Sequence, residues 1–472
     1  MTVETAGGRT LEVMAAIRDR IAARALAPGD RLPSIRRFAT TMGVSPSTVV
    51  EAYDRLAAEG LIRAQRGSGF YVANSAQPPL KLAAETPRAQ AVDPFWVSRQ
   101  SLDADEAALK PGCGWLPADW MPNEALRRAI RGLARSDSTL LAYYGSTRGS
   151  PALRRLLLAR LAEDGIEAGP EHLMLTNTGT QALDLVCRFL LRPGDCVLID
   201  DPCYFNFQAL LKAHQVRLVG VPYTPAGPDI AALESVLATE RPRLYITNSA
   251  IHNPTGATLS PQVAHRLLNA ATGGDMTIVE DDIFADFEPE PSTRLAALDG
   301  LSRVIRIGSY SKTLSASARC GYIAARPDWI EGLVDLQIAT NFGGPNPISS
   351  EIIAHMLSGG SYRKHMEELR RRLVRARRET ADRLRRLGIE PWLLPRGGFN
   401  LWCRLPEELE SGEVAQAAIA EGVVLAPGNV FSVSAGAAGF MRFNVAHMQE
   451  PRVYTALTAA MRRAGAARGR ES

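Results

Sequence analysis

The chain has little that would tie it to a membrane, a metal or an oxidising compartment. Its most apolar stretch, "LDLVCRFLL", is broken by Arg188 and is too short to span a bilayer. No apolar core follows a basic start, so a secretory leader is not expected. The six cysteines, Cys113, Cys187, Cys196, Cys203, Cys320 and Cys403, form no C-x-x-C pair and have no histidine at metal-ligand spacing. Neither a zinc site nor a disulfide framework is therefore expected, and a reduced, cytoplasmic setting is the simplest reading. Charge imbalance is slight, +4 over 472 residues, and does not by itself mark a nucleic-acid binder. No internal repeat is visible. What remains is an ordinary globular composition, 46% hydrophobic and 22% charged, in a chain long enough for two or three domains.

The first seventy residues carry a local pattern. Residues 11–26 place Leu11, Met14, Ile17 and Ile21 near helical spacing, and "APGD" stops the run. In "LPSIRRFATTMGVSPSTVVEAYDRLAAEG", Ser34 caps a short helix, Gly43 turns the chain, Ser45 caps a second helix with Pro46 at its first position, and Gly60 ends it. "LIRAQRGSGFYVA" then alternates around a Gly-Ser-Gly turn, a hairpin or wing. A helix-turn-helix offers the start of its second helix to the major groove, here Ser45, Ser47 and Thr48, while Arg36, Arg37 and Arg66 supply phosphate-seeking charge. The segment resembles the winged helix-turn-helix of the GntR regulators through that helix-turn-helix stretch and "RGSGFYV". The resemblance implies that Arg36, Ser47, Thr48, Arg66 and Gly67 touch double-stranded DNA. Pro46 stands where the family often has arginine, so half-site preference does not carry over.

Residues 74–109 mix Pro78, Pro79, Pro87 and Pro94 with no sustained period and read as a tether with room for an ordered patch at Phe95 and Trp96. The expected division is 1–73 for the DNA-binding head, 74–109 for the linker and 110–472 for a large α/β domain. In that last part short β-branched runs alternate with helical stretches, which indicates a mainly parallel sheet covered by helices. Each run ends in polar residues: "HLMLT" in "NTGTQ", "RLYIT" in "NSAIHNPTG", "MTIVE" in "DDIF", "VIRIGS" in "YSKTLSASAR". In an open α/β sheet these are carboxyl ends of strands, where loops share one ligand crevice.

Gly179, Thr180 and Gln181 open a helix, so their N–H groups suit an anion; Ser309, Ser311 and Arg319 add hydroxyls and a forked cation. A phosphate cup beside Lys312 matches pyridoxal 5'-phosphate, whose aldehyde forms a Schiff base with lysine. Asp281 suits the protonated ring nitrogen, Asn253 the ring's 3-oxygen and Tyr204 the ring face. His252, beside that loop, reads as a packed or surface histidine. From about residue 115 to 464 the chain resembles a fold-type I aminotransferase, carried by "HNPTG", "VEDD" and "SYSKTLSASARCGY". By that resemblance Arg442, in "GFMRFNVAHM", grips an amino acid's carboxylate, and Tyr144, in "YYGSTRGSPALRRLL", reaches the cofactor phosphate of a neighbouring subunit, which implies a homodimer. Ile283 and Phe284 occupy positions where the family commonly has a tyrosine bonding the 3-oxygen, so weak turnover is expected.

A winged helix-turn-helix joined through a linker to such a domain resembles the MocR subgroup of GntR regulators. This implies a transcriptional regulator that senses pyridoxal phosphate or a small amino compound, with head-to-tail exchange in the dimer. The alternative is an aminotransferase with an appended DNA-binding domain. The arginine-rich run at 363–387 reads as an amphipathic helix with a solvated basic face.

Overall fold

The computed structural model describes residues 4–23, 25–65, 67–73, 92–105, 107–135, 139–342, 344–406 and 409–468. They form two compact units, Met1–Gln90 and Ala91–Ser472.

The smaller unit opens with α1 (Glu4–Ala22). Val13, Met14 and Ile17 are buried, whereas Leu11, expected on the apolar face, is 56% exposed. The buried stripe is instead Thr10, Val13, Met14 and Ile17, an i, i+3, i+4, i+7 set that excludes Leu11. In α2 (Ile35–Met42) the Ser34 hydroxyl accepts from the Arg37 N–H, and Gly43 leaves the helix at φ +64°. The Ser45 hydroxyl accepts from the Thr48 N–H at 3.2 Å to start α3 (Pro46–Ala58), where Pro46 lacks only an N–H that the first turn leaves unpaired. Tyr53 of α3 donates its buried hydroxyl to the Pro33 carbonyl at 3.0 Å, fixing the turn over the core. β1 (Ile62–Gln65) and β2 (Gly69–Val72) pair antiparallel as the wing. Residues 30–32 add a third strip, through Leu32 N–H to Phe70 O and Val72 N–H to Asp30 O.

The larger unit takes in the second half of the stretch expected as a tether, and the ordered patch expected at Phe95 and Trp96 lies within a helix. That helix, α4 (Pro94–Asp103), is capped by Asp93, whose carboxylate accepts from the Trp96 N–H at 2.7 Å. Burial of Trp96 and Val97 outweighs the proline-rich composition that suggested extended chain. Leu109 then bridges to Val423. Residues 74–91 lie outside the described residues.

Behind α4 are β3 (Leu173–Thr176), β4 (Cys196–Asp201), β5 (Arg217–Thr224), β6 (Gly227–Pro228), β7 (Leu244–Thr247), β8 (Thr277–Asp281), β9 (Val304–Ser309) and β10 (Gly321–Ala324). They form one sheet in the order β3-β10-β9-β8-β7-β4-β5-β6. The run from β9 to β5 is parallel, and β10 is antiparallel to both its neighbours. Every residue of β3, β7, β9 and β10 is buried, the mark of a sheet covered on both faces. A smaller antiparallel sheet joins β11 (Glu390–Pro391), β12 (Asn400–Arg404), β14 (Phe440–Asn444) and β13 (Ala426–Pro427) in that order. The helix Gly360–Arg385 buries Met366, Leu369, Leu373 and Leu384 and exposes most of its arginines, several paired with acids of the same helix, as expected of a solvated face. Among the described residues no helix is long and apolar enough to cross a membrane.

Candidate cofactor site

The carboxyl ends of β3, β7, β8 and β9 surround a cavity of about 260 Å³. Gly179, Thr180, Tyr204, Asn253, Asp281, Ser311, Lys312 and Arg319 all line it, although 140 residues separate the first from the last in sequence. The short "VEDD" run shows how a strand end divides its labour. Glu280 turns inward and accepts from the N–H groups of Leu295 and Ala296 at 2.7 and 2.9 Å. Asp281 faces the cavity, and Asp282 points away to pair with Arg294 at 2.8 Å and Arg306 at 2.7 Å.

Burial dominates the electrostatics. Together with the Arg442 charge, and against the opposing Asp281, it lowers the Lys312 amine to about 8. Burial also raises the Asp281 carboxyl to about 6, opposed by the Ile283 N–H, by Asn248 and by Lys312. The Asp281 carboxylate is therefore mostly ionised at neutral pH, where it can face a ring cation, while a useful fraction of Lys312 is a neutral nucleophile.

Two carbonyls of one short segment hold the two functional cations. Lys312 Nζ donates to Gly114 O at 2.6 Å, and Arg442 Nη2 donates to Gly112 O at 2.7 Å. Arg442 is 1% exposed, its guanidinium lies 5.0 Å from the Phe431 ring centre, and burial lowers it to about 10. Its Nη1 donates to Asn253 Oδ1 at 3.0 Å, which leaves the Asn253 amide N–H groups for another acceptor, as a phenolic oxygen would be. Arg442 Nε is buried without a partner, an orphaned donor suited to a carboxylate.

Two expected contacts are placed differently. The Gln181 N–H is taken by the Thr178 hydroxyl at 2.9 Å and its side chain accepts from the Asn177 N–H, so Gln181 closes the helix start and is not free for a phosphate. Ser309 lies outside the cavity; its hydroxyl donates to Cys320 O at 2.9 Å and accepts from the Ser311 N–H, which shapes the loop carrying Lys312. Tyr144 is 76% exposed, edge-on to Phe342 and away from the cavity of its own chain. Phe284 lines the cavity as a buried ring with no hydroxyl to offer, beside Ile283.

Sequence reasoning missed the residues that hold this arrangement. Asn248 donates to the backbone carbonyl of Asp281 at 2.9 Å, and Asp200 accepts from the Asn248 N–H and from the Tyr245 hydroxyl. His252 is packed behind them, stacked on Tyr223 at 3.8 Å with Nε2 3.2 Å from Asp200. Asn444 donates to Cys113 O and Trp115 O at 2.9 and 2.7 Å, fixing the 112–115 segment. Gly112 sits so close to residues 425–426 that a Cβ would lie 2.4 Å from Ala426 N. "VEDD" and "HNPTG" signal themselves locally, whereas Asn444 lies 331 residues from Cys113.

In the smaller unit Arg36, Arg37, Ser45, Ser47 and Gly67 are exposed and Thr48 is partly so. Ser45 is already engaged, its hydroxyl 2.7 Å from Ser47 Oγ and 2.8 Å from Thr48 Oγ1. Gly67, at φ +73°, has open space where a side chain would be. Arg66 lies outside the described residues. Arg31, not singled out from sequence, is exposed beside Gly69 of the wing.

Fold and donor set together define a winged helix-turn-helix regulator whose second unit is built to hold a phosphorylated aldehyde. Residues 117–459 match aminotransferase class I and II, and residues 9–72 match the gntR family of bacterial regulatory proteins. The chain belongs to the aminotransferase class I and II family by its larger part and carries a GntR domain at its head, an organisation consistent with the MocR subgroup. It is 30% identical over 440 residues to the uncharacterised HTH-type transcriptional regulator YdcR of Escherichia coli, covering 91% of this chain and 93% of that protein. To the HTH-type transcriptional regulator NorG of Staphylococcus aureus it is 27% identical over 388 residues, 79% and 86% of the two chains. The α-aminoadipate aminotransferase LysN of Thermus thermophilus, solved with N-(5'-phosphopyridoxyl)-L-leucine, superposes with a TM-score of 0.70 at 26% identity, over 80% of this chain and 96% of LysN. The chain is a transcriptional regulator with an aminotransferase-like domain, and fold and neighbours indicate pyridoxal phosphate as its cofactor.

Proposed function

We propose that this regulator holds pyridoxal phosphate through Lys312 and senses a small amino compound that displaces the lysine and engages Arg442. When bound, the cofactor supplies an aldehyde able to exchange one amine for another. Gly179, Thr180, Ser311 and Arg319 would hold its phosphate, Asp281 its ring nitrogen and Asn253 its 3-oxygen. The observation that carries the reading is the shared attachment of Lys312 and Arg442 to the 112–115 segment. Schiff-base formation would take Lys312 from Gly114 O, and an amino compound that displaces the lysine would release it while its carboxylate draws Arg442 from Gly112 O; such differential contact is what shifts a conformational equilibrium. By family resemblance, Tyr144 would serve the phosphate of a partner subunit in a homodimer with head-to-tail exchange, and the protein would act in the cytoplasm. Arg36, Arg37, Ser47, Thr48, Arg66 and Gly67 would contact operator DNA, with Ser45 holding the recognition helix. Phe284 in place of a hydroxyl-bearing residue favours sensing over turnover.

The test is the visible spectrum of purified protein supplied with the cofactor, before and after amino acids, with borohydride trapping and peptide mapping. The expected result is a yellow protein, label on Lys312, and a spectral change on adding the right amine. Failure to trap any label on Lys312 overturns the proposal.

A further inference from the structure

The helix Gly360–Arg385 turns its arginines to water, but its inner face grips both loops that would carry the cofactor. Tyr362, 5% exposed, donates its hydroxyl to the Asp286 carboxylate, which also accepts from Arg160. Arg370 Nε donates to Asp286 O at 2.9 Å. Asp286 lies in the short turn Ala285–Phe287, directly after Asp281 and Phe284, so the helix holds the ring-nitrogen loop from behind. His365 Nε2 lies 2.8 Å from Thr313 O, the carbonyl next to Lys312. A carbonyl only accepts, so Nε2 carries the proton, and burial lowers the imidazole below the ordinary histidine range and keeps it neutral. Tyr362 and His365 are one turn apart on one helical face. Tyr362 also stands edge-on to Tyr310, ring centres 5.9 Å apart, with Arg160 over both rings.

The chemistry of the cofactor gives one helical turn a reason to grip two loops. Pyridoxal phosphate is rigid, with its aldehyde and its ring nitrogen at opposite corners of one aromatic ring. A lysine and a carboxylate engage both ends only where their separation is fixed. The strand ladder fixes Asp281 against Ile307 and ends there, whereas Lys312 lies beyond it in the turn after β9. We propose that His365 and Tyr362 are positioning residues that hold the Lys312 loop and the Asp281 loop at the spacing the two ends of pyridoxal phosphate require. Among the described residues neither lines the cavity, so both act through the loops. Their bonds lie within one chain and do not depend on what a partner subunit adds to the site. The inference rests on the proposed roles of Lys312 and Asp281 and adds what sets the distance between them.

The test compares, by calorimetric titration of the cofactor-free full-length protein, pyridoxal phosphate with pyridoxine phosphate, which has an alcohol in place of the aldehyde and no use for Lys312. His365→Ala is expected to weaken the aldehyde roughly tenfold and the alcohol by less than about twofold. His365→Gln, which keeps an N–H for Thr313, should restore most of the loss. Tyr362→Phe, which removes one hydroxyl and keeps the ring, should show the same selectivity. Combined with His365→Ala it should cost less than the sum of the two, because either change alone already frees the spacing. Equal losses for both ligands, no loss for either, no rescue by His365→Gln, or strictly additive losses overturn the proposal and leave the pair as packing residues. Should His365→Ala fail to fold, Tyr362→Phe decides alone. An unaltered protein that binds both ligands yet yields no borohydride label on Lys312 removes the cofactor reading beneath the proposal, a failure visible before any variant is made.

Discussion

The depressed amine of Lys312 makes a kinetic prediction about cofactor capture. With the amine at about 8, the neutral fraction at pH 7 is about 9%, against about 0.03% for an ordinary lysine, a gain of roughly 300-fold in nucleophile. Capture of pyridoxal phosphate, followed by stopped-flow absorbance in the cofactor-free protein, should accelerate about tenfold per pH unit up to pH 7 and level off above pH 8 to 9. The cause is burial, reinforced by Arg442 and opposed by Asp281. Arg442→Gln should therefore move the midpoint upward, and Asp281→Asn should move it downward, because one removes a like charge and the other an opposite one. Asp281→Asn should also loosen the bound cofactor through loss of the ring-nitrogen partner, so rates and affinities must be measured separately. A capture rate still climbing log-linearly through pH 9.5, or a midpoint that ignores Arg442→Gln, would refute the argument that desolvation and neighbouring charge activate this lysine.

Other expectations concern packing and the head. Gly112→Ala should lower the thermal transition by an amount corresponding to about 1–3 kcal/mol, because its Cβ would meet the backbone of residues 425–426 at 2.4 Å. Gly132→Ala, in the helix Asn123–Leu133 with nothing within 4 Å, should raise stability by up to about 1 kcal/mol; a loss would contradict the open space there. Ser45→Ala removes the cap of α3 and should destabilise the smaller unit by about 1 kcal/mol in chemical denaturation, with DNA affinity falling beyond that if the helix start frays. Arg36→Ala should weaken binding to a fragment from its own upstream region about equally across sequences and reduce the salt slope by about one unit; an unchanged slope would remove Arg36 from the phosphate contacts.

How much of this was legible in the sequence depends on the distance over which each feature is decided. Caps, turns and strand ends are local: Ser34, Gly43, Ser45 and Pro46 announce the helix-turn-helix, and the polar residues after each strand announce the crevice. The choice between Leu11 and Val13 as the buried residue of α1 is made by neighbouring helices, so a single helical pattern mistook it. Sequence shows Gln181 at a helix start suited to an anion but not that the Thr178 hydroxyl takes its N–H. Of α4 only an ordered patch at Phe95 and Trp96 is legible, because its extent is set by burying Trp96 and Val97 against chain far away in sequence. The bonds from Asn444, Arg442 and Lys312 to residues 112–115 span 198 to 331 positions, beyond any periodicity.

Because Gly112 and Gly114 offer their carbonyls to the same two side chains that a ligand carboxylate and the cofactor aldehyde would claim, binding here is an exchange of partners rather than a simple gain. Measured affinity is then the intrinsic affinity diminished by whatever stabilises that backbone in place. Variants that loosen its anchor at Asn444 would tighten the ligand while blunting the response, so sensitivity and tightness at this site pull against each other.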